Sequence, residues 1–365
     1  MSIWITELGA GSLAVKDLFD TAGVRTTYGS PIFADHVPSD TAEAVRRLEA
    51  AGYSIAGKAN LHEFAWGITS ENVTFGTVPN PIAPGRIAGG SSGGCGAALA
   101  AGLVEYGLGT DSGGSIRIPA ACCGIVGFKP THGLVPLDGC FPLTPSFDHA
   151  GPMARDVTGC ERMMEALVPG FSPADVSLED LRIGVTWTER ADPLVRARVE
   201  ALAEGFERVE VPWPDGVYPA FQREIVEVHS DLYPANRERY DPGIATKMDR
   251  ARAVSDETVA AARVERERYR ERIAALEVDL LVMPTLPMVA PPVGAGDLAL
   301  RERMIELTFP WNLTGSPALA MPCGPAEDGL PASVQIVGRP GDDALVLGAG
   351  RALSARVPAA DRASR

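Results

Sequence analysis

Short apolar runs alternate with amphipathic stretches over the first 157 residues, and this alternation predicts strands and helices in turn. The apolar runs predict four strands, at Ser12–Asp17, Ser54–Lys58, Leu103–Gly109 and Ile125–Phe128. Two helices are predicted, at Thr41–Ala51, with Asp40 as its N-cap, and at Cys95–Ala101, which has mostly small residues. This order of elements is typical of an α/β fold around a mixed sheet.

The second half of the chain predicts further strands, separated by a charged helical stretch. Helical periodicity marks Thr158–Leu167 and Val195–Phe206, and a strand is predicted between them at Arg182–Thr186. Residues 220–275 are charged and mostly helical, and strands return at 279–283, Ala318–Met321 and Ser333–Val337. We expect these late strands to rejoin the first sheet. We therefore predict one domain over residues 1–365, with a variable, mostly helical insert at about 187–275.

Composition and charge exclude several classes of protein. Of the 365 residues, 45% are hydrophobic and 22% are charged, which is typical of a chain with a large buried core. The net charge of −14 disfavours direct binding to nucleic acid or to an anionic membrane. The longest uncharged run, Ile87–Val104, contains six glycines, so it predicts a loop and a short buried helix rather than a membrane span.

The cysteines and the N-terminal residues indicate a cytoplasmic protein. The first seven residues have neither a basic region nor a long apolar run, so they do not form a signal peptide. The six cysteines show no C-x-x-C pair and no metal-binding spacing with the five histidines. We therefore expect reduced thiols, no metal site and a cytoplasmic location.

Two glycine-rich segments carry the candidate chemistry. In Gly-Gly-Ser-Ser-Gly-Gly, residues 89–94, the glycines allow backbone conformations that other residues avoid. A phosphate loop would need Lys-Ser/Thr after the glycines, but Cys95-Gly96-Ala97 follows. In the second segment, residues 109–119, Ser115 follows two glycines after a predicted strand. This pattern fits a nucleophile beside an oxyanion hole, and it equally fits a tight turn between a strand and a helix.

A serine nucleophile needs a base, and the chain offers histidines or a buried lysine. None of the histidines lies in a known hydrolase motif; they are His36, His62, His132, His149 and His229. Lys16 follows the apolar residues Leu13–Val15, and burial there would lower its pKa. Taken alone, this segment favours an ordinary lysine on an edge strand.

Together, the three segments resemble the amidase signature family. The signature covers Gly89 to about Thr131, from the Gly-Gly-Ser-Ser-Gly-Gly loop through Gly-Thr-Asp-Ser-Gly-Gly-Ser-Ile-Arg to Gly-Phe-Lys-Pro-Thr. Four flanking segments also match: Ala14–Asp17, Gly57–Asn60, Phe147–Pro152 and Gly315–Ala318. The resemblance is strong over residues 12–157, weak over 276–340 and does not extend to 187–275. It implies a large mixed sheet flanked by helices on both faces.

The family uses a Ser–cis-Ser–Lys triad, and the resemblance carries its roles to three residues of this chain. Ser115 would be the nucleophile, Ser91 the bridging serine and Lys16 the base. The separations of 75 residues between Lys16 and Ser91, and of 24 between the serines, agree with the family's pattern. The resemblance also implies a cis peptide at Gly90–Ser91 and gives Lys58, in a second family motif, a structural role.

Further site residues follow from the same resemblance. The backbone N–H groups of Ser112, Gly113 and Gly114, with that of Ser115, would hold the oxyanion, and no metal or organic cofactor is needed. Asp111 and Arg117 would order the nucleophile loop, the alternative for Arg117 being simple solvation at the surface. Three residues would lie beside the acyl pocket: Ala65, Trp66 and Gly67. Trp66 forms either an aromatic wall or part of the core, and Phe309 and Trp311 would line the pocket from the C-terminal side.

The resemblance implies an amidohydrolase that cleaves the C–N bond of a small carboxylic amide. The alternative is the glutamine-hydrolysing subunit of a tRNA-dependent amidotransferase, which carries a glutamine-binding arginine on a Tyr-rich helix. The corresponding stretch here, Val259–Tyr269, is rich in Ala, Glu and Arg, and that arginine has no evident counterpart. Family members usually carry a longer helical leader before the lysine, whereas this chain begins 15 residues before Lys16, which indicates either a naturally short member or a mis-assigned start. Missing leader helices would expose apolar surface and favour a homodimer.

Overall fold

The computed structural model describes residues 1–358, and these contain thirteen strands and twelve helices. The strands are β1 (Trp4–Glu7), β2 (Leu13–Lys16), β3 (Ile55–Ala59), β4 (Glu71–Asn72), β5 (Gly76–Thr77), β6 (Tyr106–Asp111), β7 (Val126–Lys129), β8 (His149–Ala154), β9 (Ile183–Val185), β10 (Glu207–Arg208), β11 (Leu280–Pro284), β12 (Ala318–Pro325) and β13 (Pro331–Val337). The helices are α1 (Glu43–Ala50), α2 (Gly93–Ala100), α3 (Arg117–Cys123), α4 (Val157–Leu167), α5 (Pro193–Leu202), α6 (Tyr218–Val228), α7 (Leu232–Asn236), α8 (Pro242–Arg252), α9 (Asp256–Ala274), α10 (Asp297–Ile305), α11 (Pro310–Thr314) and α12 (Asp343–Ser354).

Eleven of the described strands form one mixed sheet, in the order β1-β3-β2-β6-β8-β7-β12-β13-β11-β9-β10. The pairs β3-β2, β2-β6, β11-β9 and β9-β10 are parallel, and the other neighbours are antiparallel. The late strands β12 and β13 join the first sheet through β7, as the sequence predicts. The predicted α/β class with a large mixed sheet is confirmed.

Successive side chains of β2 pack alternately in two core clusters, which shows that helices cover both faces of the sheet. Leu13 and Val15 belong to a core cluster shared with α1 and α4, whereas Ala14 packs in a different cluster with α2. Successive side chains of a strand point to opposite faces. Lys16 therefore shares the face of Ala14 and α2. Lys58 pairs with Val15 in the register of β2 and β3 and lies on the other face.

The predicted elements are present, with boundaries shifted by a few residues. The prediction of Asp40 as an N-cap is wrong, because α1 begins at Glu43 and Ala42 precedes it without a side-chain cap. The Glu43 N–H donates instead to the Asp138 carbonyl, so a neighbouring loop replaces the side-chain cap. Among residues 1–358, no helix is long and apolar enough to cross a bilayer.

The segment 187–275 contains α5 to α9 and the short strand β10. Helix α5 packs against β12 and β13, whereas α6 packs against both α8 and α9. The single-domain organisation with an insert is a proposal, which the continuous eleven-stranded sheet of the described residues supports.

Candidate active site

The end of β2 brings Lys16 to the glycine–serine loop. The amine Nζ of Lys16 donates to Ser91 Oγ and to Thr110 Oγ1, each at 2.7 Å, and the side chain is fully buried. Burial lowers the Lys16 pKa to about 8, although nearby acidic groups, Cys140 first among them, oppose the shift. A large share of the amine is therefore neutral near pH 8 and able to accept a proton.

The loop at residues 89–94 needs its glycines because other backbone lies against it. A Cβ on Gly94 would lie 2.4 Å from the Asn60 carbonyl oxygen, and one on Gly89, where φ is +75°, would lie 2.8 Å from Pro119 Cα. The Gly90–Ser91 peptide is cis, as the family resemblance predicts. This packing places Ser91 directly before α2, on the face of the sheet that holds Lys16.

Ser115 lies on the turn between β6 and α3, beside the first loop. The Ser92 N–H donates to the Ser115 carbonyl at 3.2 Å, which joins the two segments through their backbones. The Ser115 hydroxyl makes no hydrogen bond within residues 1–358, and the residue is 7% exposed. The structure thus shows the Lys16–Ser91 contact and a free hydroxyl beside it, without a hydrogen bond between the two serine side chains.

A buried ion pair orders the nucleophile loop. Arg117 donates to both oxygens of Asp111, from Nη2 at 2.8 Å and from Nε at 2.9 Å, and both side chains are fully buried. Burial alone would raise the Asp111 pKa, but Arg117 outweighs it and holds this pKa well below its usual range. Arg117 is therefore not a solvated surface residue. Its Nη1 also reaches Thr308 O at 2.8 Å and Gln335 Oε1 at 2.7 Å.

The Asp111 carboxylate also determines which backbone N–H groups are available to an oxyanion. The Gly114 N–H, predicted as one of them, donates instead to Asp111 Oδ1 at 2.8 Å, because the loop turns around this carboxylate. The N–H groups of Ser112, Gly113 and Ser115 have no acceptor in the described part of the chain. These three groups are the ones available to an oxyanion.

Replacing Arg117 by methionine is expected to lower the free energy of unfolding by about 3–5 kcal/mol, because Asp111 keeps a buried charge without its partner. Chemical denaturation measures this loss. Arg86→Met is the control, since it breaks the more exposed Arg86–Asp328 pair and should cost about 0–1 kcal/mol. Equal losses in the two variants would show that the buried pair does not stabilise the loop.

A cavity of about 490 Å³ is lined on one side by Phe309, and no residue of the nucleophile loop lines it. Its lining includes aromatic and cationic side chains: Trp66, Trp213, Tyr218, Lys247, Arg301 and Phe309. Phe309 lies near the loop, since a Cβ added to Gly113 would lie 3.6 Å from its ring and the preceding residue, Thr308, donates from Oγ1 to Gly113 O at 2.7 Å. Trp66 and Phe309 both line the cavity, and Trp66 is also buried in a hydrophobic core cluster, so both interpretations of Trp66 stay open.

Three other residues expected at the acyl pocket do not line this cavity, and their roles there stay predictions. Trp311 packs on Trp187 with ring centroids 5.4 Å apart and lines a separate cavity. Ala65 and Gly67 do not line the cavity. Gly67 instead allows close packing on His62, whose ring would lie 2.2 Å from an added Cβ.

Sequence reasoning missed several residues around the site. Lys247 on α8 donates to the Trp66 carbonyl and to Asp297 Oδ2 and so ties the insert to this wall. Asn312 donates to Asp111 Oδ1 at 2.9 Å. A polar residue between Trp311 and Leu313 was the available signal for Asn312. Lys247, Tyr218 and Arg301 had none, because they lie where the family resemblance is absent or weak.

The fold and the site define a hydrolase that combines an α/β sheet with serines and a buried lysine. The family model for Amidase matches residues 12–191 and 215–347, and the chain belongs to this amidase family. It is an amidase, an amidohydrolase that acts on amide C–N bonds. The resemblance to the amidase signature family is therefore confirmed.

Individual relatives span almost the whole chain. AtzE of Pseudomonas sp. (strain ADP), a subunit of 1-carboxybiuret hydrolase, is 38% identical and aligns with 93% of this chain and 82% of its own length. A glutamyl-tRNA(Gln) amidotransferase subunit of Koribacter versatilis is 33% identical, over 92% of this chain and 82% of its own. A crystal structure of an amidase matches 96% of this chain and 85% of its own, with 38% identity and a TM-score of 0.86.

Proposed function

We propose that this amidase hydrolyses small carboxylic amides to an acid and ammonia or an amine, through an acyl-enzyme on Ser115. The observation that carries the proposal is the buried contact of 2.7 Å between Lys16 Nζ and Ser91 Oγ, beside the free hydroxyl of Ser115. A lysine is a base only when neutral, and burial lowers the pKa of this one to about 8.

The proton and the acyl group then move as follows. Neutral Lys16 accepts the Ser91 proton, Ser91 accepts the Ser115 proton, and Ser115 Oγ bonds to the carbonyl carbon. Free N–H groups at Ser112, Gly113 and Ser115 hold the oxyanion, each worth about 3–4 kcal/mol by analogy with other hydrolases. The C–N bond breaks as the leaving nitrogen takes a proton from the relay, and water then hydrolyses the Ser115 ester.

Trapping the acyl group tests this proposal directly. Mixing the protein with a simple amide and hydroxylamine should yield the hydroxamate, and rapid quenching should leave an acyl mass on the peptide that contains Ser115. The matched control is Ser115→Ala, which should show no acyl mass. An acyl group on another residue, or hydrolysis with no adduct and no hydroxamate, would contradict the nucleophile.

The activity of the enzyme is expected to rise with pH through a midpoint of about 8. Protonated Lys16 cannot accept the Ser91 proton, so kcat/KM should increase about tenfold per pH unit well below the midpoint and level off above pH 9. Burial also lowers the Lys247 pKa to about 8. The profile of Lys247→Met is therefore the control and should keep the inflection. An activity that falls as pH rises through 8 would contradict the assignment of Lys16.

A second candidate function comes from the glutamyl-tRNA amidotransferase relatives. The stretch Val259–Tyr269 on α9 contains Arg266, which is buried and bound to the protein: Nη2 donates to Ser146 O at 2.7 Å and Nε to Leu313 O at 3.1 Å. These contacts and one from Nη1 to Ser146 Oγ engage three of its five N–H groups within the protein, which disfavours a role in binding glutamine. Ammonia release from simple amides by the protein alone supports the free-standing amidase, and release from glutamine alone supports the amidotransferase function.

The partner that we propose is a small-molecule amide. The homodimer and the cytoplasmic location stay predictions. Size-exclusion chromatography with light scattering measures the oligomeric state.

A further inference from the structure

Arg301 is a cation in the Trp66–Phe309 cavity without a carboxylate partner. It lies on α10, and its Nε and Nη2 both donate to Tyr218 Oη, at 3.1 and 2.9 Å. None of the ion pairs within the described range of the chain includes Arg301, although Asp297 lies close enough to interact with its charge. Two donors thus converge on one neutral oxygen, and the remaining N–H groups of the guanidinium are left for another acceptor.

The nearby carboxylates are engaged elsewhere or lie at the rim. Asp297, one turn earlier on α10, accepts from Ile68 N at 2.6 Å and from Lys247 Nζ at 2.8 Å. Glu306 lies 3.9 Å from Arg190. The two other acids on the lining, Asp215 and Glu302, are exposed to solvent. Arg301 therefore lies partly buried in the cavity, shares the charge of Asp297 with Lys247, and makes no hydrogen bond of its own to a carboxylate of the described residues.

A row of contacts connects Arg301 with the nucleophile loop. Its partner Tyr218 packs edge-on against Phe309, with ring centroids 5.8 Å apart, and a Cβ added to Gly113 would lie 3.6 Å from the Phe309 ring. A ligand whose amide carbonyl lies at Ser115 would thus extend along the Phe309 ring towards Arg301. The aromatic walls exclude water and strengthen any charge-assisted hydrogen bond made there.

We propose that Arg301 and Tyr218 bind a carboxylate of the substrate, so that the preferred substrates are amides with an anionic group distant from the scissile C–N bond. The guanidinium presents a planar fork of donors that suits a carboxylate, and the Tyr218 hydroxyl proton is free to donate to the second oxygen. The proposal rests on the proposed function for the position of the scissile amide.

Three probes with the same four-carbon chain test the proposal: succinamate, butyramide and 4-aminobutyramide, which differ in the charge of the end distant from the amide. Binding is measured by calorimetry on Ser115→Ala, where turnover does not interfere. We expect succinamate to bind about 10- to 100-fold more tightly than butyramide, and 4-aminobutyramide to bind most weakly. In Ser115→Ala with Arg301→Gln, the preference for succinamate should fall by at least about tenfold.

The control is Arg303→Gln on the same helix, which removes an exposed arginine paired with Asp192 and should keep the preference. Arg301→Lys should restore part of the preference for succinamate, since lysine keeps the positive charge but lacks the planar donors of the guanidinium. If Arg301→Gln does not fold, Tyr218→Phe replaces it, because it removes the hydroxyl that aligns the guanidinium. Equal binding of the three probes, or a preference that survives Arg301→Gln or its substitute, overturns the proposal.

Turnover separates this proposal from the function on which it rests. In the protein with Ser115 intact, kcat/KM for succinamate over that for butyramide should show the same preference and the same loss in Arg301→Gln. If Ser115→Ala still hydrolyses amides, the proposed nucleophile fails while the binding preference stands. If Ser115→Ala is inactive but binds the probes equally, the carboxylate site fails while the nucleophile stands.

Discussion

Replacing Ser115 by alanine is expected to lower kcat/KM for a simple amide by at least about 10⁴-fold, with the fold preserved. In other hydrolases, loss of the nucleophilic serine costs about 10⁶-fold in kcat, and what remains comes from the oxyanion donors and binding. Here the Ser115 hydroxyl makes no hydrogen bond to the described residues, so its removal breaks no contact that stabilises the fold. Ammonia release and thermal unfolding measure the two quantities.

Two further variants make this result specific. Ser39 is exposed, and Ser39→Ala should leave kcat/KM unchanged. Combining Ser115→Ala with Lys16→Met should cost no more than Ser115→Ala alone, since a base without its nucleophile has nothing to activate. If the two losses multiply in the double variant, Lys16 and Ser115 act independently, and the relay is wrong.

The parts of the fold that the sequence predicts are those with strong local patterns. The apolar runs at β2, β3 and β11 lie between turn residues, and the periodic apolar positions Ala44, Val45 and Leu48 are all buried on α1. In each case, local periodicity and tertiary burial favour the same element. Boundaries differ because hydrogen bonds to distant loops decide where an element ends.

Two elements that the sequence analysis does not predict, β8 and α3, contain residues whose local propensity disfavours a strand or a helix. Strand β8 contains Gly151 and Pro152, both disfavoured inside sheets, yet it lies between β6 and β7. A Cβ on Gly151 would lie 2.3 Å from the Phe128 carbonyl oxygen, so glycine is required by the close approach of its neighbour. Helix α3 contains Pro119 in its first turn, where proline is tolerated. Local propensity could not reveal either arrangement.

The residues of the candidate site also fall into two groups: those that short motifs predict and those that only tertiary packing brings together. Short motifs with family spacing predict Lys16, Ser91 and Ser115, and the structure supports them through the Lys16–Ser91 contact. The cavity wall is built differently, since Arg301 and Tyr218 are 83 residues apart and meet through tertiary packing alone. Substrate preference depends on such residues, and for this reason the sequence does not indicate which amide is cleaved.

Two buried lysines, Lys16 on β2 and Lys58 on the adjacent strand β3, allow effects on catalytic activity to be separated from effects on stability. Lys16 touches the hydroxyls of Ser91 and Thr110, whereas Lys58 Nζ lies 3.5 Å from the buried carboxylate of Asp17. Burial lowers the pKa of both lysines, and for Lys58 the charge of Asp17 opposes the shift. Their side chains point to opposite faces, so each can be replaced without touching the other.

Lys16→Met is expected to lower kcat/KM by about 10³-fold, because a positioned base contributes about 10²–10⁴. Its effect on the free energy of unfolding should stay below about 2 kcal/mol, since methionine keeps the volume and removes a buried amine. Lys58→Met should do the reverse: it leaves Asp17 buried and unpaired, which costs about 3–5 kcal/mol of stability. The folded fraction of Lys58→Met should then hydrolyse amides at a rate close to that of the unaltered protein. Denaturation and active-site titration measure these effects. If Lys58 were the base, Lys58→Met would lose the activity that Lys16→Met is expected to lose.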